Sequence, residues 1–253
     1  MSRIIIFGAT GSLGSHVLRL ALASGHEVTV FVRSASKLPF ECQTRVAVHQ
    51  GDLSVLAPVE IAKLVNGHDA LVNCAGHIAE GQTFVDLIDR LVAAAESLPN
   101  SSRLICWFLA GAALLDIGHS HRKGVELPGV RSTYWPHQVN YERIRESELD
   151  WRLLCPGPMV EKPAIGLNRM RISLDTLPVQ LPAFVGALPG LLLLPFFVNQ
   201  IPQMIVPYAD AAALMLANLK AGDSMSCHRV GLALPPGMRG KKPQWTTKPN
   251  SST

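Results

Sequence analysis

Glycines at positions 8, 11 and 14 of the stretch GATGSLG are spaced for holding an anion on the main chain. Gly8 permits a tight turn, Gly11 lets a pyrophosphate approach the backbone, and Gly14 lets a helix pack closely on a strand. With Thr10, Ser12 and Leu13 they form a loop whose exposed N–H groups sit at the positive end of a helix dipole, where a diphosphate is favoured. A plain glycine turn is the alternative, but an apolar strand precedes the motif and a helical pattern follows it. Arg33 closes the next strand, and Lys37 lies four residues on. A guanidinium fork grips phosphate bidentately, so this pair selects a cofactor with a 2′-phosphate, NADP(H), over NAD(H). The competing reading is two solvated surface cations. Asp52 and Leu53 are placed beside the adenine, with Asp52 accepting from the exocyclic amine or serving only as a turn residue. Ala75-Gly76 offers the close backbone that a ribose needs, or simply ends a strand.

A second set of residues lies in STYWPHQVNYE, Ser132 to Glu142. Tyr134 is a hydrogen-bond donor for a carbonyl or a developing alkoxide, but a free tyrosine side chain, with a pKa of about 10, is a poor base. His137 titrates near neutral pH and is an alternative acid. Gln138 stands four residues after the tyrosine. A helix is expected to begin after Pro136. Tyr134 then falls just outside its first turn, where a loop aromatic packing on apolar chain is an equal alternative. His119 and His121, in DIGHSHRKG, read as surface histidines. No third ligand accompanies them, so no metal is expected.

These groups have to be positioned by a scaffold, and the pattern for one is clear. Apolar strands are expected at Arg3–Phe7, Glu27–Val32, Val46–His49, Ala70–Cys74, Arg103–Leu109 and Trp151–Leu154. Helices are expected at Ser12–Ser24, Pro58–Asn66, Thr83–Ser97 and Gln138–Ser147. Alternation of this kind implies right-handed βαβ crossovers, hence an α/β doubly wound parallel sheet of the Rossmann type. The 253 residues fit one such domain. Its expected parts are a nucleotide-binding core over 1–160, a small apolar substrate-binding part over 161–234 that completes the same domain, and a flexible tail over 235–253.

Composition narrows the function. Apolar residues make up 48% and charged residues 17%, as in a well-buried globular protein. The net charge of +4 rests partly on Arg239, Lys241, Lys242 and Lys248 near the end. No basic helix interleaved with aromatics appears, which argues against nucleic-acid binding. The five cysteines form no CxxC pair, and an odd count without metal spacing argues for a reducing compartment. An apolar strand starts by residue 4, so no signal peptide is expected and the cytoplasm is the expected location. Thr176 to Ala209 carries no charged side chain. Prolines at 182, 189 and 195 break this segment and argue against a membrane span. A wall over an apolar pocket or an oligomer surface is expected there, with a peripheral membrane contact as the lesser alternative.

Taken together, GATGSLG, Val32-Arg33 with Lys37, GDL at 51–53, NCAG at 73–76, SELDWRLLCPGPM and VPYADAAALML resemble the short-chain dehydrogenase/reductase superfamily. They are most similar to its atypical, NmrA-like NAD(P)H-binding branch, over approximately residues 3–220. The resemblance implies a Rossmann core with a small C-terminal substrate-binding part. It also implies a Ser or Thr after the fifth strand and a Tyr-x-x-x-Lys on the helix before the sixth. Here the fifth strand runs into Leu109-Ala110-Gly111-Ala112, and Gln138 takes the lysine position. The expected function is NADPH-dependent reduction of a hydrophobic ketone, enone or quinone. A non-redox isomerase or cyclase, and a non-catalytic NADP(H)-sensing regulator, are the alternatives.

Overall fold

The β-branched run Arg3–Phe7 forms β1 at the middle of an eight-stranded sheet. The computed structural model describes residues 1–118, 120–182, 184, 185 and 188–241. Along the chain come α1 (Ser12–Ala23), β2 (Glu27–Val32), α2 (Phe40–Gln43), β3 (Ala47–Gln50), α3 (Pro58–Val65), β4 (Ala70–Asn73), α4 (Gln82–Glu96), β5 (Ile105–Leu109), α5 (Arg131–Arg145) and β6 (Asp150–Pro156). Then follow β7 (Met159–Val160), β8 (Arg171–Leu174), α6 (Gly190–Gln200), β9 (Val206–Pro207), α7 (Tyr208–Ala217) and β10 (His228–Ala233). The sheet order is β3-β2-β1-β4-β5-β6-β10-β8. Every pairing is parallel except that of β10 with β8. This is the doubly wound Rossmann sheet. Chain direction across it reverses between β1 and β4, which opens a crevice beyond their C-terminal ends.

Both faces of the sheet are covered, which explains why its central strands are apolar throughout rather than alternating. Ile4, Ile5, Ile6 and Phe7 are fully buried. Ile5 and Phe7 join the core under α3, α4 and α5, whereas Ile4 and Ile6 join the core under α1 and α7. Trp107 in β5 is also fully buried, and its indole N–H donates to the Asn218 carbonyl, 3.1 Å away, at the end of α7. Arg143 ties α5 to α4 through Asp89 and Glu96, at 2.7 and 2.6 Å.

Several expectations shift. The helix expected from Gln138 begins at Arg131 instead, so Tyr134 and Pro136 lie inside α5. The Tyr134 N–H already donates to the Val130 carbonyl at 3.0 Å. Pro136 removes only the bond to the Ser132 carbonyl in the exposed first turn, where water can replace it. The part beyond residue 160 supplies β10, parallel to β6, and the antiparallel edge strand β8, neither of which was read from the sequence. Asp210 in α7 accepts N–H bonds from Ile165 and Gly166, both at 2.8 Å, and so fastens the chain that follows β7.

The described residues of the charge-free segment do not line the crevice. Val185, Leu193 and Phe197 fill the core on the α4–α5 side, and the opposite face of α6 is exposed. Among the described residues no helix is long and apolar enough to cross a membrane. Of the expected tail, residues 235–241 are described, with the Gly240 N–H on the Pro202 carbonyl at 2.7 Å. Residues 242–253 and His119 lie outside the described residues. Trp107→Ala is expected to cost about 3–5 kcal/mol, as for large-to-small changes in a closed core. Urea unfolding measures it, and a loss below about 1 kcal/mol would contradict the packing described.

Candidate functional site

The crevice between β1 and β4 holds a cleft of ≈ 620 Å³, well within the range of cofactor pockets. Its floor is the junction of β1 and α1. Gly8 has φ +79°, and a Cβ there would lie 2.6 Å from the Ala75 nitrogen, so only glycine fits this crossing of two loops. A Cβ on Gly14 would lie 2.1 Å from the Gly8 carbonyl oxygen. Gly11 differs, since a Cβ there would meet only the Gly8 oxygen at 3.3 Å. The space over Gly11 is open, and it is the N-cap of α1, with no side chain capping the helix. The first-turn N–H groups of Ser12, Leu13 and Gly14 therefore lack the usual capping acceptor, and an anion fits that need. Leu13 itself points into the core and Gly14 is buried, so these two contribute main chain only.

Gly8, Thr10 and Gly11 line the cleft together with Arg33, Lys37, Asp52, Leu53, Ala75 and Gly76. Arg33 and Lys37 are both exposed on its rim, and Ser34 between them also lines it. Asp52 binds its own turn. One carboxylate oxygen accepts from the Ser54 N–H at 2.9 Å and the Ser54 hydroxyl at 2.7 Å, which holds the acid below the usual carboxylate range. That oxygen is engaged, so contact with an adenine amine falls to the other. Leu53 is buried, with Phe31 beside it in the cleft wall.

The end of β4 is shaped by Asn73, whose buried side chain brackets Ala75 at N–H and carbonyl, 3.1 and 3.2 Å away. This sets up Gly76 at φ +93°, where a Cβ would fall 2.4 Å from Phe84. Burial pushes the Cys74 thiol up to about 12, so it lines the cleft as a neutral group. His77 was missed by the sequence reading. It also lines the cleft, and its Nδ1 accepts from the Ala79 N–H at 3.1 Å. When neutral it therefore carries its proton on Nε2, as a donor. A histidine directly after a strand-ending glycine was the available signal.

Tyr134 and His137 meet beside Gly111, at the end of β5. A Cβ on Gly111 would lie 3.7 Å from the Tyr134 ring and 3.5 Å from the His137 ring. The two rings are 6.2 Å apart, and His137 sits edge-on to Phe84 at 5.6 Å. The expectation that His137 titrates near neutrality is corrected. Burial, helped by nearby His77, lowers its pKa to about 4, so at pH 7 it is a neutral imidazole with Nδ1 unpartnered. Gln138 donates to Glu142 at 2.7 Å and brings no charge toward Tyr134. None of these three residues lines the cleft.

His121 lines a different cavity of ≈ 460 Å³, with Asp116, Asp175, Cys227, His228 and Arg229. The three non-glycine residues with positive φ in the described structure, His121, Asp175 and Cys227, all lie there. Among the described residues no group of three or more His, Cys, Asp or Glu side chains is placed to hold a metal ion.

Residues 8–177 match the model of a family described as NAD(P)H-binding. The chain belongs to this family. Its sheet order and the uncapped glycine loop are what such a family requires, and they agree with the resemblance to the atypical short-chain dehydrogenase/reductase branch. Over 168 residues the chain is 29% identical to the uncharacterized protein YwnB of Bacillus subtilis, covering 61% of this chain and 71% of that one. A short-chain dehydrogenase/reductase from Veillonella parvula, solved in complex with NADP, superposes with a TM-score of 0.64 at 17% identity, covering 97% of this chain and 100% of that one. The oxidoreductase ylbE from Lactococcus lactis gives 0.66 at 19%, covering 92% and 90%. At such identities the structural likeness speaks for the fold.

The pKa of His137 yields a prediction about pH. The unfolded chain takes up the proton near 6.5, the ordinary value for histidine, the folded one only near 4. Its neutral burial therefore stabilises the fold fully above pH 6.5, and that contribution is lost as pH falls toward 4, by about 3 kcal/mol in all. Denaturant melts across this window should show the loss, and His137→Phe should flatten it.

Proposed function

We propose that the protein is an NADPH-dependent oxidoreductase that reduces an uncharged carbonyl, enone or quinone. The observation that carries this reading is the convergence, in one cleft, of the open glycine loop at the start of α1 with Arg33 and Lys37. The uncapped N–H groups of α1 suit a diphosphate, and two cations at the end of β2 suit a 2′-phosphate. Asn73 holds the Ala75-Gly76 turn in the shape that a ribose can approach. When bound, the nicotinamide would supply a hydride, which is the chemistry of the cofactor and not of the chain.

The chain would add orientation and a proton. Tyr134 is the one hydroxyl near the end of β5 that belongs to the sequence-selected set, and it is partly exposed beside Gly111. It would donate a hydrogen bond to the substrate oxygen and pass its proton as charge develops there. No lysine stands at position 138 to lower the tyrosine pKa. Proton abstraction from an alcohol is therefore disfavoured, and reduction is the direction that this site supports. Neutral His137 would hold the Tyr134 ring by packing and would not act as the acid. Phe84, Leu87, Ala110 and Ala112 nearby are apolar, which supports an apolar substrate, with His77 and Glu80 the polar groups on the cleft side.

The same lack of a lysine at 138 and of a hydroxyl after β5 favours the second reading, an isomerase or cyclase on this scaffold. Turnover that persists after removal of cofactor would support it. Arg33→Asp should weaken NADPH binding by roughly 10- to 100-fold, from loss of charge-assisted hydrogen bonds, and leave NADH binding equal or improved. Calorimetry with both nucleotides reads this, and unchanged NADPH affinity would refute the assignment. Tyr134→Phe should lower kcat for NADPH oxidation with a quinone such as menadione by about 10²- to 10⁴-fold while nucleotide affinity holds.

A further inference from the structure

We propose that the outward face of α6 docks on an anionic lipid surface. Leu191 is 72% exposed, Leu192 58%, Val198 49% and Phe196 36%. Phe184, itself 62% exposed, stands edge-on to Phe196 with ring centroids 6.3 Å apart. Leu193 and Phe197 already anchor the helix in the core, so the outward apolar side chains are not needed for packing. Such a contiguous patch on a surface helix marks an interaction site.

Charge decides what fits it. No acidic side chain occurs between Thr176 and Ala209. The acids that bound the segment are engaged elsewhere: Asp175 pairs with His228 and Arg229, and Asp210 is fully buried on the Ile165 and Gly166 N–H groups. At the C-terminal end of α6, Arg239 donates to the Asn199 carbonyl and side-chain oxygens at 2.9 and 3.1 Å. This bond brings exposed Met238, Arg239 and Lys241 to the end of the apolar ridge. From residue 235 onward the chain has Arg239, Lys241, Lys242 and Lys248 and no acid.

Exposed apolar side chains with cations at one end suit the headgroup layer of an anionic membrane, which takes the apolar groups below the level of the charges. A second copy of this chain fits less well. A two-fold interface centred on α6 presents the same patch from both copies and brings like charges toward each other. The inference is independent of the redox chemistry, although a membrane surface is where an apolar substrate would concentrate.

The test is sedimentation of the full chain with vesicles of phosphatidylcholine alone and of phosphatidylcholine mixed with phosphatidylserine. Binding to the mixed vesicles is expected, with much weaker binding to the neutral ones and loss on adding salt. Leu191→Asp combined with Phe196→Asp should abolish it. Arg239→Glu combined with Lys241→Glu should weaken it on the order of tenfold or more. Near-ultraviolet circular dichroism checks that each variant keeps its fold, and the arginine–lysine variant, altered only at exposed positions, covers the case in which the apolar one fails to fold. No binding to the mixed vesicles, or binding that neither variant changes, would overturn the proposal. So would a solution dimer that Leu191→Asp converts to monomer, which would assign the face to a second copy.

Discussion

The close passage of main chain on main chain at the β1–α1 junction governs the rest of the molecule. Gly14 leaves no room even for a methyl group against the Gly8 carbonyl, and Gly8 leaves none against Cys74 and Ala75. These contacts bring the start of α1 down onto the sheet at the point where chain direction reverses. They also leave the first N–H groups of the helix facing an open cleft. Without them the helix would ride higher, and the cations at the end of β2 would face no common ligand with its N-terminus. Site and fold thus share one cause, the absence of side-chain volume at two positions.

The region beside Gly111 follows a different logic. It is governed by desolvation. His137 packs edge-on to Phe84 and is deprived of water, so its proton is held weakly. Tyr134, one helical turn earlier, is partly exposed. Two residues that share a sequence neighbourhood and a capacity for proton transfer therefore end in different states. Gln138 in turn bonds Glu142 and stays uncharged. No lysine or arginine therefore stands four residues after the tyrosine.

Most of the layered fold was readable because its signals are local. A β-branched run, a glycine motif and an amphipathic helix each carry their own evidence within a dozen or so residues, and their alternation implies a parallel sheet. The errors fell where local rules compete with distant contacts. Pro136 read as a helix start, but α5 runs through it, clamped to α4 by Arg143. The strands β8 and β10 went unread because polar residues and glycine break their apolar runs, Arg171 and Ser173 in one and His228, Arg229 and Gly231 in the other, and their pairing is set by β6 and by each other. The segment from Thr176 to Ala209 was legible as apolar, but which of its faces is buried was not.

By itself the sequence determined the Rossmann scaffold, the place of the glycine loop and the pair of cations after β2, because glycine spacing and hydrophobic period act over short stretches of chain. The tertiary structure alone decided that His137 is a neutral packing group, that His77 turns into the cleft beside the nucleotide loop, and that α6 presents its apolar side outward. Those outcomes depend on which water is excluded and which surfaces meet, and both are set by residues far apart in the chain.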